Sequence, residues 1–164
     1  TLPNLADRLH GLLETYGVPA RVLQLELTES TLLEAGERPA ETLRAIEKMG
    51  VKLAIDDFGT GYSNLAYLKR LPLAELKIDR SFIRDLANNP DDRALAATII
   101  ALGHQMELQV VAEGVETEVQ RRILLDLGCD LAQGTHYDGA MPLGTFALVW
   151  LEPGETLGGS PVRS

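Results

Sequence analysis

The order of local patterns along this chain admits one fold class. Short apolar stretches that alternate in polarity are followed, again and again, by segments with helical spacing. Val22 to Leu27 places Leu23, Leu25 and Leu27 on one face and Gln24 and Glu26 on the other, the period of a strand. Pro39 to Met49, with Leu43 and Ile46 on one side and Gly50 after the end, reads as a helix. Strands are predicted at Lys52 to Asp57, Leu76 to Asp79, Gln109 to Val115 and Leu131 to Gln133. Helices are predicted at Thr1 to Tyr16, Ser63 to Leu71, Asp91 to Gln105, Thr117 to Leu127 and Thr145 to Leu151. Asn89-Pro90-Asp91 supplies capping chemistry for the third of these, and Thr117 with Gln120 forms a capping box. Strand and helix alternating without exception is the pattern of βα units around parallel strands. The fold class is therefore α/β, built of βα units around parallel strands. Residues 1–151 form one domain, and the Gly-, Pro- and Ser-rich residues 152–164 a flexible tail.

Charge and cysteine content narrow the function. The formal net charge of −9 argues against DNA or RNA as a partner. It is compatible with a small phosphate-bearing ligand if metal ions supply local positive charge. No apolar run reaches the roughly 20 residues of a membrane span. Cys129 is the single cysteine, so no internal disulfide can form, and a cytoplasmic location is expected. A free cysteine of this kind is expected to pack as a small buried hydrophobe. Trp150 and Phe146 read as core. His10 and His104 read as surface or boundary residues, without metal-ligand spacing.

The chemistry gathers at strand ends. Glu26 and Glu29, Asp56 and Asp57, Lys77 and Asp79, Glu113 and Glu116, and Gln133 each stand at or just past the end of a predicted strand. In parallel α/β folds the carboxyl ends of the strands share one face, and the active site lies there. Charges on the inner face of such strands are costly unless paired or metal-bound. Oxygen donors at this density suit Mg²⁺ or Mn²⁺, and two such ions would promote hydrolysis of a phosphodiester. Gly59-Thr60-Gly61 lacks the Gly-Lys-Ser/Thr ending of a phosphate loop; a mobile loop over the site fits it better.

Five segments taken together carry a family resemblance: Leu25-Glu26-Leu27-Thr28-Glu29-Ser30, Ile55-Asp56-Asp57-Phe58-Gly59-Thr60-Gly61-Tyr62-Ser63, Leu76-Lys77-Ile78-Asp79-Arg80-Ser81-Phe82, Val111-Ala112-Glu113-Gly114-Val115-Glu116-Thr117 and Ala132-Gln133-Gly134. In this order, across roughly residues 1–145, they resemble the EAL domain family of bacterial cyclic di-GMP phosphodiesterases. The resemblance implies a modified TIM barrel that opens cyclic di-GMP to linear pGpG with two divalent ions. It implies that Glu26, Asp56, Asp57 and Glu113 bind metal, with Asp56 bridging. By the same token Lys77 contacts the attacking water, Glu113 doubles as a base, Gln133 and Asp79 lie near substrate, and Glu29 props the loop beginning at Phe58. Upstream sensory or diguanylate-cyclase domains, a homodimer, and a place in the cytoplasmic part of a membrane-anchored protein also follow from it.

Two departures from the family pattern stand out. The Glu-Ala-Leu triplet that names the family is absent from the chain, as is the following strand with its metal-binding asparagine. Asn4 is no substitute, because it is expected inside the first helix. About three early strands would precede the chain in a barrel of roughly 250 residues, so residues 1–164 alone are expected to be inactive, with open sheet edges that favour pairing with another chain. The second departure is Thr135 to Met141, where the family carries aromatic residues and a basic residue before proline; Asp138 adds negative charge instead. An alternative is therefore a catalytically inactive module that binds cyclic di-GMP or a protein partner. Another Mg²⁺-dependent barrel enzyme, enolase-like, would not account for Asp56-Asp57-Phe58-Gly59-Thr60-Gly61.

Overall fold

A computed structural model of the chain describes residues 4–35, 39–59, 65–139, 141 and 145. The expected loop at 60–62, residues 146–151 of the expected helix at 145–151, with Phe146 and Trp150, and the tail at 152–164 lie outside the described residues.

Five strands, β1 (Gln24–Thr28), β2 (Lys52–Phe58), β3 (Glu75–Ile78), β4 (Gln109–Glu113) and β5 (Leu131–Gln133), form one sheet in sequence order. Every neighbouring pair is parallel. Connections that run from the end of one parallel strand to the start of the next require a crossover, and helices supply it. These are α1 (Leu5–Tyr16) before the sheet, then α2 (Glu29–Ala35), α3 (Pro39–Lys48), α4 (Leu65–Leu68), α5 (Arg80–Arg84), α6 (Pro90–Gln105) and α7 (Glu118–Asp126).

Helix ends follow the local chemistry. Gly17 adopts the left-handed conformation that closes α1. Asn89 caps α6 by accepting from the Asp91 amide, with Pro90 in the first turn. The capping box at Thr117 and Gln120 is formed in full.

Four expectations are corrected. Asn4 is the N-cap of α1 and lies just ahead of it. The first strand starts at Gln24, because Pro19 presets a turn and Ala20–Val22 coil into a 3₁₀ helix, with the Val22 amide donating to the Pro19 carbonyl. The last turn of the expected helix at Ser63 to Leu71 is not α-helical; α4 ends at Leu68. The alternation also has two exceptions. Helices α2 and α5 each follow a strand directly and precede a second helix. Both are seeded by the strand's own end: the Thr28 hydroxyl accepts from the Thr31 amide, and the Asp79 carboxylate accepts from the Ser81 amide.

The two faces of the sheet differ in kind. Leu53 and Ile55 of β2, Leu76 and Ile78 of β3, and Val110 and Ala112 of β4 belong to one apolar core with Leu43 and Ile46 of α3 and Ala96, Ile99 and Ile100 of α6. The other face carries the side chains of alternate parity, among them Gln24, Glu26, Glu75, Lys77 and Glu113. Its lower layer is already polar and paired: Gln24 Nε2 donates to Glu75 Oε1 at 2.8 Å. No helix among the described residues is long and apolar enough to cross a membrane.

Helix α6 meets the sheet at Gly103, which is buried. A Cβ built there would lie 2.3 Å from Val110 Cγ2 on β4. Replacing glycine by alanine inside a helix ordinarily stabilises by about 0.5–1 kcal/mol. Here the sign reverses, because the added methyl must push helix and strand apart. Gly103→Ala is expected to destabilise the chain by about 1–3 kcal/mol, the usual cost of overpacking, read as a lower urea midpoint at unchanged slope.

Cys129 packs against the core and donates to the Leu131 carbonyl at 3.2 Å. Burial pushes its thiol up to about 11, so it stays protonated and inert at neutral pH.

Candidate metal centre

The strand ends of the polar face converge on Lys77. Strand β3 is buried along its length, and the strand period turns Lys77 away from the core residues Leu76 and Ile78. Its ammonium lies 2.5 Å from Glu113 Oε1, 2.8 Å from Glu26 Oε1 and 3.6 Å from Asp56 Oδ1. Burial disfavours the charge, yet the hydrogen bonds to Glu113 and Glu26 outweigh it and hold the amine's pKa above the ordinary lysine value. One buried cation thus gathers acids from β1, β2 and β4. On the far side Gln133 of β5 donates from Nε2 to Glu113 Oε1 at 2.8 Å.

Adjacent residues of a regular strand point to opposite faces, so Asp56 and Asp57 could not both enter one site from an undisturbed β2. The register between β2 and β3 shifts between Ile55 and Phe58, and Asp57 takes a φ of 54°. Asp is among the few residues that tolerate this left-handed backbone. The irregularity turns both side chains to the same side, and the Asp57 amide donates to Asp56 Oδ1 at 3.0 Å. Carboxylate oxygens of Asp56, Asp57 and Glu113 then lie within 4.8 Å of one another.

Such packing of like charges has a cost. Burial, then the charges of Asp56 and Asp79, holds the Asp57 carboxyl above its usual value. Burial raises Glu113 as well, against the pull of Lys77. Groups placed so that their ionised forms repel one another are placed to be neutralised by a cation. Three carboxylates at this spacing form a hard oxygen donor set suited to Mg²⁺ or Mn²⁺, and the residues present fit such an ion.

Glu26 lies outside that triad among the described residues and reaches the site through Lys77. Glu29, at the start of α2, is buried and accepts from the Gly59 amide at 3.1 Å, at the point where the 60–64 segment begins. Asp79 caps α5 through the Ser81 amide and hydroxyl. Burial acts to raise its pKa, but the hydrogen bonds from Ser81 reverse this and leave it below the usual carboxylate range. Glu116 is exposed, and its backbone amide donates to Gln120 Oε1 at 2.8 Å.

Two features had no signal in the residue pattern. The bulge that unites Asp56 and Asp57 leaves only a pair of adjacent acids in the sequence. The second use of Gln120, beyond its cap, depends on a contact with a helix 36 residues earlier in the chain.

Comparison with known proteins identifies the family and the fold. Residues 2–140 match the EAL domain family. Over 138 residues the chain is 47% identical to the bifunctional diguanylate cyclase/cyclic di-GMP phosphodiesterase MucR of Pseudomonas aeruginosa, covering 84% of this chain and 20% of that protein. Among solved structures, the PaMucR phosphodiesterase in complex with c-di-GMP superposes with a TM-score of 0.84 at 45% identity, covering 88% of this chain and 58% of the other. The manganese/cy-diGMP complex of BlrP1 from Klebsiella pneumoniae matches with a TM-score of 0.75 at 32% identity, covering 82% and 34% of the respective chains. The chain therefore spans about a fifth of the length of the curated relative and little over half of the first of these solved chains.

Proposed function

The chain belongs to the EAL domain family, and on that premise we propose that it is the metal-binding part of a phosphodiesterase domain that hydrolyses cyclic di-GMP to linear pGpG. The observation that carries this reading is the convergence of the Asp56, Asp57 and Glu113 oxygens within 4.8 Å, beside an ammonium that lies 2.5 Å from Glu113.

In this reading Asp56, Asp57, Glu113 and Glu26 would hold divalent ions, Mg²⁺ or Mn²⁺, with Asp56 as the shared ligand and Glu113 completing the second set. Bound ions of this kind neutralise a phosphodiester and lower the pKa of a bound water. Glu113 would also accept the water's proton. Lys77 orients that water and keeps the facing acids from repelling one another. Gln133 fixes the direction of the Glu113 carboxylate. Glu29 holds the Gly59 amide and so the entry to the segment that follows it. Cyclase or sensory domains elsewhere in a longer protein, as the name of MucR suggests, would deliver the regulatory input.

A second reading, a module that binds cyclic di-GMP without cutting it, is favoured by exposed Asp138 in the loop after β5, where the family pattern has a basic residue. One experiment separates the two. Residues 1–164 are joined to the strands that family members place before them and incubated with cyclic di-GMP and Mn²⁺; chromatography then follows pGpG. Metal-dependent pGpG, lost on Glu26→Ala, is the expected result. Binding by calorimetry with no pGpG would establish the second reading and end the first.

A further inference from the structure

The described chain buries four polar or charged side chains, Glu29, Glu75, Lys77 and Gln120. Three have been placed: Lys77 and Glu29 serve the site, and Glu75 is held by Gln24. Gln120 remains. A cap needs its Oε1 at the start of α7, where it accepts from the Glu116 and Thr117 amides at 2.8 and 2.9 Å. A cap does not need its Nε2, nor its burial. That nitrogen crosses to α5 and donates to the carbonyls of Ile83 and Arg84, both at 3.1 Å. One amide thus uses its donor end on the C-terminal carbonyls of α5 and its acceptor end on the loop after β4.

The other end of α5 bears on the same loop. Gly114 has a φ of 71°, and a Cβ there would lie 2.6 Å from Arg80 Cβ, in the first turn of α5. The loop is also seated on β5, since the Val115 amide donates to the Gln133 carbonyl at 3.0 Å. Residues 114–116 are therefore gripped from α5 at both ends and from β5 at one side, and they begin directly after Glu113. Short helix α5 in turn is capped by Asp79, two residues past Lys77. We propose that Gln120 is a positioning residue: by tying α5 to the loop after β4 it fixes the distance between Lys77 and Glu113 and so the donor set for the metal. This rests on the reading of Glu113 as a metal ligand.

Gln120→Glu keeps the acceptor for the Glu116 and Thr117 amides and turns the donor into an oxygen facing two carbonyls. It severs the tie to α5 and spares the cap. Thr117→Ala does the opposite, removing the hydroxyl that accepts from the Gln120 amide. Two readouts are taken on residues 1–164 and each variant: the Mn²⁺ dissociation constant by calorimetry, and the NMR signals of the Gln133 side-chain amide in chelator, which report the place of Glu113 without any ion. Gln120→Glu is expected to weaken Mn²⁺ binding about tenfold, as loss of groups supporting a metal site does, and to shift the Gln133 signals. Thr117→Ala is expected to leave both near wild type. If Gln120→Glu does not fold, Gln120→Asn, whose shorter arm cannot span both elements, is expected to show the same two effects. Gln133 signals unmoved by the folded Gln120 variant, or moved equally by Thr117→Ala, would overturn the proposal. Failure of the wild-type chain to bind Mn²⁺ would sink the metal reading instead, and the Gln133 signals would still decide this one.

Discussion

In residues 1–164 joined to the strands that family members place before them, Asp56→Asn is expected to reduce Mn²⁺-dependent hydrolysis of cyclic di-GMP by more than about 100-fold, beyond the 10–100-fold typical of residues that only support a ligand. The substitution keeps the shape and the Oδ1 that accepts from the Asp57 amide at 3.0 Å, so the bend in β2 is retained. It removes one negative charge from the triad that lies within 4.8 Å. That charge raises the pKa of both Asp57 and Glu113, so its removal relieves repulsion in the metal-free chain. The variant should therefore melt no lower than wild type in chelator. It should gain less than wild type on adding Mn²⁺, because ligand-linked stabilisation scales with the ratio of ion concentration to dissociation constant. Activity within tenfold of wild type would refute the assignment of Asp56 as a shared ligand, whatever the melting curves show.

The residue pattern carried the sheet order and most of the site, and the reason is periodicity. Alternation in Leu76-Lys77-Ile78 places Lys77 opposite two core residues, and no packed helix face offers a lysine an escape to solvent. The same parity separates Glu26 from Leu25 and Leu27. Parallel wiring then brings strand ends together without any knowledge of distances. What the pattern could not carry depends on broken periodicity or on distant contacts. Asp56 and Asp57 share a site only through a left-handed residue at a register shift. Helix α5 spans five residues, Arg80–Arg84, too few for a 3.6-residue period to show. It is seeded by Asp79, an acid that also reads as a ligand candidate. Pro19 presets a turn that reaches far enough into the following segment to remove Val22 from the strand, which alternation alone does not show.

The largest stability effect is expected at Lys77. Lys77→Met has a similar length and fills the same buried space, but leaves Glu26, Asp56 and Glu113 facing one another without a cation. Removing one partner of a buried ion pair usually costs about 3–5 kcal/mol. The Glu26 side chain is 44% exposed and can turn to water, whereas those of Glu113 and Asp56 are 18% and 22% exposed, so the lower end of that range, about 3 kcal/mol, applies. For a chain of this size that is a fall of roughly 6–12 °C in Tm, measured in chelator near pH 7. The amine's pKa is raised on folding, so its contribution is fully present below the unfolded-state value and disappears only as pH climbs through the folded one, well above neutrality. The wild-type margin over the variant should thus hold from neutrality up to about pH 9, a unit or more below the reference lysine value, and narrow toward acid pH, where Glu113, no longer held down by Lys77, takes up a proton in the variant first. Mn²⁺ should narrow it, because a divalent ion among the same carboxylates replaces the missing charge. A melting point within 2 °C of wild type in chelator, below the roughly 2–4 °C expected for even 1 kcal/mol, would mean that the acids do not depend on Lys77.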